Sequence, residues 1–293
     1  KVDKNASNLR TQNSHTLALL LCEDPTNDDS LINPFFLSML GSITRATAQQ
    51  GYDLLVSFQQ LSSDWHADYE DSKKADGIIL LGYGDYVDYE EKLNQLLAQE
   101  THFVCWGARV EGHPEFTIRS NNREGGRQAA SHLLSLGYRS FAFIGIASDH
   151  APEFFERYQG FIQALSTQNI KAEAVPQVDA ISTEQAGFDA TLKLLAAGHQ
   201  PDAIFAASDL IAINAMGVLT ARGFKVPEDV AVVGYDDVEP AAHSFPPLTT
   251  VRQPLDMAGV HLVDCLLRIM AGEKPESDLL PTKLVVREST KAV

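Results

Sequence analysis

The chain has 293 residues, of which 44% are hydrophobic and 21% charged, as in an ordinary folded protein. This length suits two domains or one large α/β unit. With 23 Lys and Arg against 39 Asp and Glu, the net charge is −16, so this chain alone should not bind nucleic acid. Three widely spaced cysteines (Cys22, Cys105, Cys265) fit neither a disulfide framework nor a CxxC metal site and favour a reducing compartment. No apolar run approaches the roughly 20 residues that span a bilayer.

Short apolar runs alternate with helical patterns in the first half of the chain. The strand candidates are Leu17–Leu21, Leu54–Val56, Ile78–Leu81 and Phe103–Trp106, each typical of a strand buried on both faces. Apolar residues at steps of three and four from Phe36 to Thr47 predict one helix, and Tyr86–Gln99 is a second candidate.

The same alternation begins again in the second half. The strand candidates there are Phe141–Gly145, Ala174–Val178, Ala203–Ala207 and Val230–Gly234. The helix candidates are Arg123–Leu136, Glu153–Thr167, Glu184–Ala197 and Leu210–Arg222. The strand-to-strand spacing leaves room for a crossover helix, as βαβ units need.

The pattern therefore predicts an α/β fold of two doubly wound parallel-sheet lobes. The lobes would comprise 15–120 plus 249–276 and 121–248 plus 277–293, after a linker at 1–14. The tail adds a helix at Pro254–Met270 and a strand at Leu284–Arg287, and Thr249–Val251 suits a segment crossing between lobes. Because ligands of open α/β sheets bind outside the carboxyl ends of the strands, we expect a ligand cleft between the lobes.

Motifs of catalytic chemistry are missing from the sequence. There is no Walker A pattern, no HExxH and no GxSxG, and the GYGDY segment lacks the third glycine of GxGxxG. The nine histidines are scattered singly, away from ligand spacing. We therefore expect no enzyme activity, no cofactor and no metal site.

The most informative segment is VPEDVAVVGYDD, from Val226 to Asp237, followed by PPLTTVRQP from Pro246 to Pro254. A buried strand there ends at Gly234, so Asp236 would emerge at the strand's carboxyl end. A carboxylate at that position can accept hydrogen bonds from the hydroxyl groups of a ligand.

Taken together, the motifs resemble the effector-binding core of the LacI/GalR family of bacterial transcription regulators. The matching segments are NPFF (33–36), EGGRQAASHLLSLGYRSFAFIG (124–145), RYQGFIQAL (157–165), SDLIAINAM (208–216), the two segments above and LVVREST (284–290). The resemblance implies a periplasmic-binding-protein-like type I fold, a small effector in the cleft, a cytoplasmic location and a homodimer, for which the Phe36–Thr47 helix is the interface candidate in the first lobe.

The N-terminal segment also resembles the family, in which a hinge helix folds on operator DNA and wedges a leucine into the minor groove. Leu9 matches that leucine, although Ser7 stands where the family usually has arginine. The family's helix-turn-helix headpiece would precede Lys1, and the resemblance implies that operator DNA is bound only through that missing headpiece and the hinge.

The resemblance also implies roles for single residues in the cleft. Arg157 of the Arg-x-x-Gly-Phe motif and Asp236 match the family's ligand-binding arginine and carboxylate. Ser208 stands where the family usually has Asn or Asp, and Phe35 matches a ligand-stacking aromatic. Tyr83, Trp106 and Arg109 are further ligand-binding candidates, because they come after predicted strands. We expect Asp209 to cap the following helix, and we expect neither Arg157 nor Asp236 to belong to the core.

Alternatives remain at this point. A periplasmic sugar-binding protein of a transport system would share the fold, but it should lack the hinge segment and the VPEDVAVVGYDD pattern. An oxidoreductase would need a phosphate-binding glycine loop. The effector is expected to be a mono- or disaccharide, with a purine, a nucleoside or a sugar phosphate as alternatives, since arginines including Arg157, Arg109 and Arg119 could serve an anion.

Overall fold

The computed structural model describes residues 13–21, 33–58, 64–82, 84–107, 112 and 116–293. The chain divides into two compact units. The first consists of Lys1–Ile32, Phe36–Arg119 and Leu255–Leu280, and the second of Asn33–Phe35, Ser120–Pro254 and Pro281–Val293.

The described elements follow one another in a regular alternation. Up to residue 120 they are β1 (Thr16–Leu21), α1 (Pro34–Gln49), β2 (Asp53–Phe58), a π-helical turn (Ala67–Asp71), β3 (Gly77–Leu81), α2 (Tyr86–Ala98), β4 (Phe103–Trp106) and β5 (Thr117–Ser120). Then come α3 (Asn122–Ser135), β6 (Phe141–Ile144), α4 (Pro152–Ser166), a 3₁₀ turn (Ala172–Ala174), β7 (Gln177–Val178), α5 (Glu184–Ala196), β8 (Ala203–Ala206), α6 (Asp209–Ala221), β9 (Ala231–Asp236), α7 (Glu239–His243) and β10 (Thr249–Arg252). The last are α8 (Leu255–Met270), β11 (Asp278–Leu280) and β12 (Lys283–Val285).

Each unit contains one six-stranded sheet, and the two sheets repeat one strand order. The first runs β11-β5-β4-β3-β1-β2 and the second β12-β10-β9-β8-β6-β7. From β1 to β5 and from β6 to β10 all pairings are parallel, whereas β12 lies antiparallel to β10. Strands that alternate with crossover helices form such sheets, and the predicted fold class is confirmed.

Central strands of both sheets are buried along their whole length, namely β3, β4, β6, β8 and β9. Helices cover the sheet faces, so these strands read as near-continuous apolar runs. The prediction of two buried faces is wrong for β2. It lies at the edge of the first sheet, and its Leu55 and Val56 side chains are exposed.

The tail divides between the units differently from the sequence prediction. Residues 249–254 belong to the second unit, because β10 pairs with β9 instead of crossing between lobes. Residues 277–280 belong to the first unit, where β11 lies beside β5. Neither β5 nor β11 was expected, since each has only three or four residues and includes polar ones.

Of the helices that the structure describes, none combines the length and the apolar character that crossing a membrane requires.

Candidate functional site

Two of the predicted site residues meet at the carboxyl edge of the second sheet. Arg157 lies in the second turn of α4, and Asp236 is the last residue of β9. Nη1 of Arg157 is 3.7 Å from Oδ1 of Asp236, and both side chains are more than nine-tenths buried. This burial contradicts the expectation that neither residue belongs to the core.

The backbone around Arg157 explains why its motif contains glycine. A Cβ atom on Gly160 would collide with the carbonyl oxygen of Arg123 in α3, and one on Gly126 would collide with the carbonyl oxygen of Arg157. The two glycines therefore let α3 and α4 approach to backbone contact. This approach brings Asn122, at the start of α3, to Arg157, whose Nε donates to Asn122 Oδ1 at 2.9 Å.

Further contacts fix the direction of the Arg157 guanidinium. Nη1 donates to the carbonyl oxygen of Ala207 at 2.5 Å, directly after β8. The guanidinium lies over the Tyr235 ring at 3.7 Å from its centroid and within 5.1 Å of the Phe154 ring, where cation–π attraction holds it. A Cβ on Gly125 would collide with the Tyr235 hydroxyl, so the glycine makes room for this ring.

Asp236 is held in an unusual backbone conformation. Its φ is 115° and that of Asp237 is 58°, values that L-residues other than glycine rarely adopt. Oδ1 of Asp236 accepts a hydrogen bond from Nε2 of Gln253 at 2.7 Å. Burial raises the pKa of Asp236, and the nearby Arg157 guanidinium partly opposes this rise.

The neighbouring Asp237 secures this turn. Its two carboxylate oxygens accept hydrogen bonds from Arg252 Nε and Arg287 Nη2, both at 2.5 Å. The Asp237 side chain is 5% exposed and that of Arg287 17%, whereas Arg252 is 53% exposed, so the charge-assisted bond to Arg287 is the better shielded from water. They tie the turn after β9 to β10 and to the segment that follows β12.

The helix cap falls on Ser208 and not on Asp209, where it was expected. Ser208 is the N-cap of α6, with Oγ accepting from the Ile211 N–H at 3.4 Å and from Ser182 Oγ at 2.8 Å. Asp209 does not cap the helix. It is fully buried and accepts from the Val238 N–H at 2.9 Å and from Thr250 Oγ1 at 2.5 Å. Burial and the nearby Asp236 carboxylate raise the pKa of Asp209 well above its ordinary value.

A further carboxylate accompanies Arg157 on the same helix. Glu153 lies in the first turn of α4, four residues before Arg157, so the two side chains share a helix face. Burial raises the pKa of Glu153 to about 7, and the positive charge of Arg157 counteracts part of that rise.

The remaining predicted site residues are not brought together in this way. The Phe35 side chain is 6% exposed, and its N–H donates to Asn33 Oδ1 at 2.9 Å. Asn33 in turn donates to Ser182 Oγ at 3.2 Å, within the second unit. Trp106 ends β4 in the first unit and is 7% exposed. Leu9, Tyr83 and Arg109 lie outside the described residues.

Three residues of the site were not selected from the sequence. Asn122, Gln253 and Glu153 are polar residues on elements that contact Arg157 or Asp236. Asn122 stands in the Asn121-Asn122 pair, where the family often has Asp-Asn, and Gln253 lies in the PPLTTVRQP segment, but neither was chosen as a site residue. Asn122 and Gln253 reach their partners across 35 and 17 residues of sequence. Glu153 had a usable signal, because i,i+4 spacing from Arg157 on a helix predicts a shared face. In the part of the chain that the structure describes, no three His, Cys, Asp or Glu side chains are grouped to hold a metal ion.

Comparisons with known proteins define the class of this chain. A family model described as a periplasmic binding protein-like domain matches residues 130–290. The chain is 32% identical to the transcriptional regulator CelR of Thermobifida fusca, covering 97% of this chain and 84% of CelR. It is 27% identical to the ribose operon repressor of Escherichia coli K12, covering 89% of this chain and 77% of the repressor.

Solved structures agree with these matches. The CelR–cellobiose complex superposes with a TM-score of 0.82 at 29% identity, covering 98% of this chain and 89% of that one. The lac repressor dimer bound to operator and an anti-inducer gives 0.80 at 25% identity, covering 100% and 99%. A ribose-bound LacI-family regulator from Enterococcus faecium gives 0.78 at 25% identity, covering 95% and 99%.

The fold is thus that of two-lobed periplasmic-binding-protein-like proteins. The chain belongs to the LacI/GalR family of transcription regulators, as its motifs predicted. These relatives are named as regulators and repressors and not as enzymes.

Proposed function

We propose that this chain is the effector-sensing core of a LacI-family regulator and that its effector is a small polyhydroxyl compound. The observation that carries the proposal is the buried Arg157–Asp236 pair at the carboxyl edge of the second sheet. Nη1 and Nε of Arg157 and Oδ1 of Asp236 have partners within the protein. This leaves Arg157 Nη2 as donor and Asp236 Oδ2 as acceptor for a ligand.

A donor and an acceptor side by side suit a hydroxyl group, which both donates and accepts hydrogen bonds. The aromatic rings of Tyr235 and Phe154 hold the guanidinium in place before the ligand arrives, which lowers the entropic cost of binding. Related regulators have been solved with cellobiose and with ribose, both of which are neutral sugars. Ser208, Phe35 and Trp106 complete the proposed site, and Tyr83 and Arg109 remain predictions.

In this proposal the effector acts by shifting a conformational equilibrium. An effector changes operator affinity only through its different affinities for the two states. We further propose that the regulator works in the cytoplasm as a homodimer, a state named for the related lac repressor. Helix α1, the predicted interface in the first unit, exposes 45% of Leu37.

The effector proposal is tested by calorimetric titration with cellobiose, ribose, other neutral mono- and disaccharides and purine bases. The variants Arg157→Lys and Asp236→Asn keep side-chain volume while changing hydrogen bonding. A hydrogen bond to a charged group contributes roughly 1.5–3 kcal/mol, so each variant should bind the responding sugar about ten- to a hundredfold more weakly. Glu91→Gln, on the exposed side of α2, is the control and should bind normally. Unchanged affinity in both site variants would refute the site.

The dimer proposal is tested by light scattering at micromolar concentration. Wild type should have twice the mass of one chain. Leu37→Glu buries a charge in the proposed interface and should shift the equilibrium towards monomer, whereas Glu91→Gln should not. A monomeric wild type would exclude the homodimer, and a Leu37→Glu dimer of wild-type strength would exclude α1.

A further inference from the structure

We propose that Asp209 is a positioning residue of the effector site. Its carboxyl group does not meet the effector, and it holds in place the turn that presents Asp236. This inference rests on the proposed function, because it concerns how Asp236 is prepared for a ligand. It gives a buried residue at the start of α6 a part in effector binding.

The Asp209 carboxyl group is enclosed by protein on every side that the structure describes. The residue is 0% exposed, and both of its oxygens have partners. Oδ2 accepts from the Val238 N–H at 2.9 Å, and Oδ1 accepts from the Thr250 hydroxyl at 2.5 Å. A Cβ atom on Gly234 would collide with Oδ1, so this glycine lets the carboxyl group lie directly against the backbone of β9. Asp209 can therefore influence a ligand only through the residues that it holds.

The bond to Val238 lies where the backbone conformation is least favourable. Asp236 and Asp237 have φ values of 115° and 58°, whereas Val238 returns to extended backbone with φ of −67° and ψ of 154°. Residues with such positive φ values persist only when surrounding contacts hold them there. The Asp209–Val238 bond secures the point at which the chain leaves this strained turn.

The two anchors of the turn hold different parts of it. Arg252 and Arg287 bind the side chain of Asp237, whereas Asp209 binds the backbone N–H of Val238. Losing the Asp209 carboxyl group would leave this buried amide without an acceptor, which is a costly state. The backbone would then shift to find another partner, and the direction of the Asp236 carboxylate would shift with it.

Asp209 is also near enough to Asp236 for the two carboxyl groups to interact. Burial raises the pKa of Asp209 well above its ordinary value, and the Asp236 carboxylate raises it further. The neutral form of Asp209 is therefore favoured, and in that form it can hold the turn without repelling Asp236. Asparagine has nearly the same size and keeps a carbonyl acceptor, so Asp209→Asn is the conservative variant.

The other end of β8 provides a matched control. Asp202 comes directly before this strand and accepts from the N–H groups of Arg139 and Ser140 at 3.0 and 2.9 Å. Like Asp209, it is a carboxylate that satisfies backbone donors of the second unit, but it lies at the amino edge of the sheet. Asp202→Ala should therefore reduce stability and leave the carboxyl edge unchanged.

The first test is calorimetric titration of the responding neutral sugar. Asp209→Ala should bind it about tenfold or more weakly, because Asp236 is no longer held in its turn. Asp209→Asn and Asp202→Ala should both stay within about threefold of wild type. In an Asp236→Asn background, Asp209→Ala should weaken binding by less than about twofold, because both changes act through the same carboxylate.

The second test needs no ligand. Hydrogen exchange followed by mass spectrometry should show faster exchange in peptides covering residues 235–238 of Asp209→Ala, and wild-type exchange there in Asp209→Asn and Asp202→Ala. If Asp209→Ala does not fold, Thr250→Val takes its place. This variant keeps side-chain shape and removes the hydroxyl donor to Asp209, so exchange in the same peptides should still be faster.

Wild-type affinity in Asp209→Ala would overturn the inference, and so would additive losses in the double variant with Asp236→Asn. An affinity loss in Asp202→Ala as large as that in Asp209→Ala would reduce the effect to general destabilisation. If no neutral sugar binds wild type, the proposed effector class fails, and hydrogen exchange alone decides. Wild-type exchange at residues 235–238 in Asp209→Ala, or in Thr250→Val where that variant replaces it, would then refute the positioning role.

Discussion

The two units share one strand order, but the residues at the ends of their equivalent strands and helices differ in chemical type. The fourth strand of each sheet ends at Trp106 in the first unit and at Asp236 in the second. The helix after the first strand begins Pro34-Phe35 in one case and Pro152-Glu153 in the other. At these two topologically equivalent positions the first repeat has an aromatic residue and the second a carboxylate. The repeated scaffold sets where a ligand can be contacted, and the terminal residues set what kind of contact is made.

The largest expected effect is on stability, and it differs between alanine variants of two glycines in equivalent helices. Gly160 in α4 touches the backbone of α3, whereas a Cβ on Gly41 in α1 would meet nothing within 4 Å. Gly160→Ala should destabilise the protein by about 3 kcal/mol or more, because two helices must move apart. Gly41→Ala should be neutral or stabilise by up to about 1 kcal/mol through helix propensity. Scanning calorimetry measures both, and equal effects would show that close α3–α4 contact is not required.

A second difference lies in the turn after each fourth strand. The second unit fastens this turn through Asp237, which pairs with Arg252 and Arg287. Asp237→Asn should cost about 1–3 kcal/mol, since the half-exposed Arg252 and the largely buried Arg287 lose the counter-charge of a buried carboxylate. Effector affinity should also fall, because the turn presents Asp236. If effector affinity is retained despite the loss of stability, the contacts of Asp237 with Arg252 and Arg287 have only a structural role.

A third test uses the pH dependence of stability. The pKa of Glu153 is raised by burial to about 7, so its contribution to folding is complete below its ordinary pKa of 4.5 and is lost as pH rises through 7. Effector-free wild type should therefore become less stable between pH 5 and pH 8. The raised pKa values of Asp209 and Asp236 act in the same direction.

Glu153→Gln should flatten this profile and add about 1–2 kcal/mol at pH 8, a value reduced from the full pKa shift because the side chain retains some contact with water. Glu91→Gln should leave the slope as it is. A Glu153→Gln profile identical to wild type would place this carboxyl in bulk solvent.

The smallest expected effects on stability come from removing two helix caps at equivalent positions. Asp85 caps α2 after β3, and Ser208 caps α6 after β8. Each change to alanine should cost about 1 kcal/mol of stability. Only Ser208→Ala should also weaken effector binding. A similar loss of affinity in Asp85→Ala would remove the functional distinction between the two caps.

Particular residues show which parts of the fold and of the site could be predicted from the sequence. Apolar runs locate the central strands because strands buried on both faces lack polar residues, and the Arg157 and Asp236 motifs are recognised through the family resemblance. Their burial was not anticipated, since it depends on the Gly126–Gly160 approach and on ring stacking across distant segments. The cap at Ser208 instead of Asp209 was also missed, because both residue types cap helices and only the position of Val238 and Thr250 decides between them.

The most direct test of the account is a calorimetric titration of the responding neutral sugar into wild type, Asp236→Asn and Glu91→Gln under one set of conditions. The account predicts one site per chain in wild type and Glu91→Gln, and at least about tenfold weaker binding in Asp236→Asn with its fold retained. Equal affinity in all three proteins would contradict the claim that the carboxyl edge of the second sheet binds the effector.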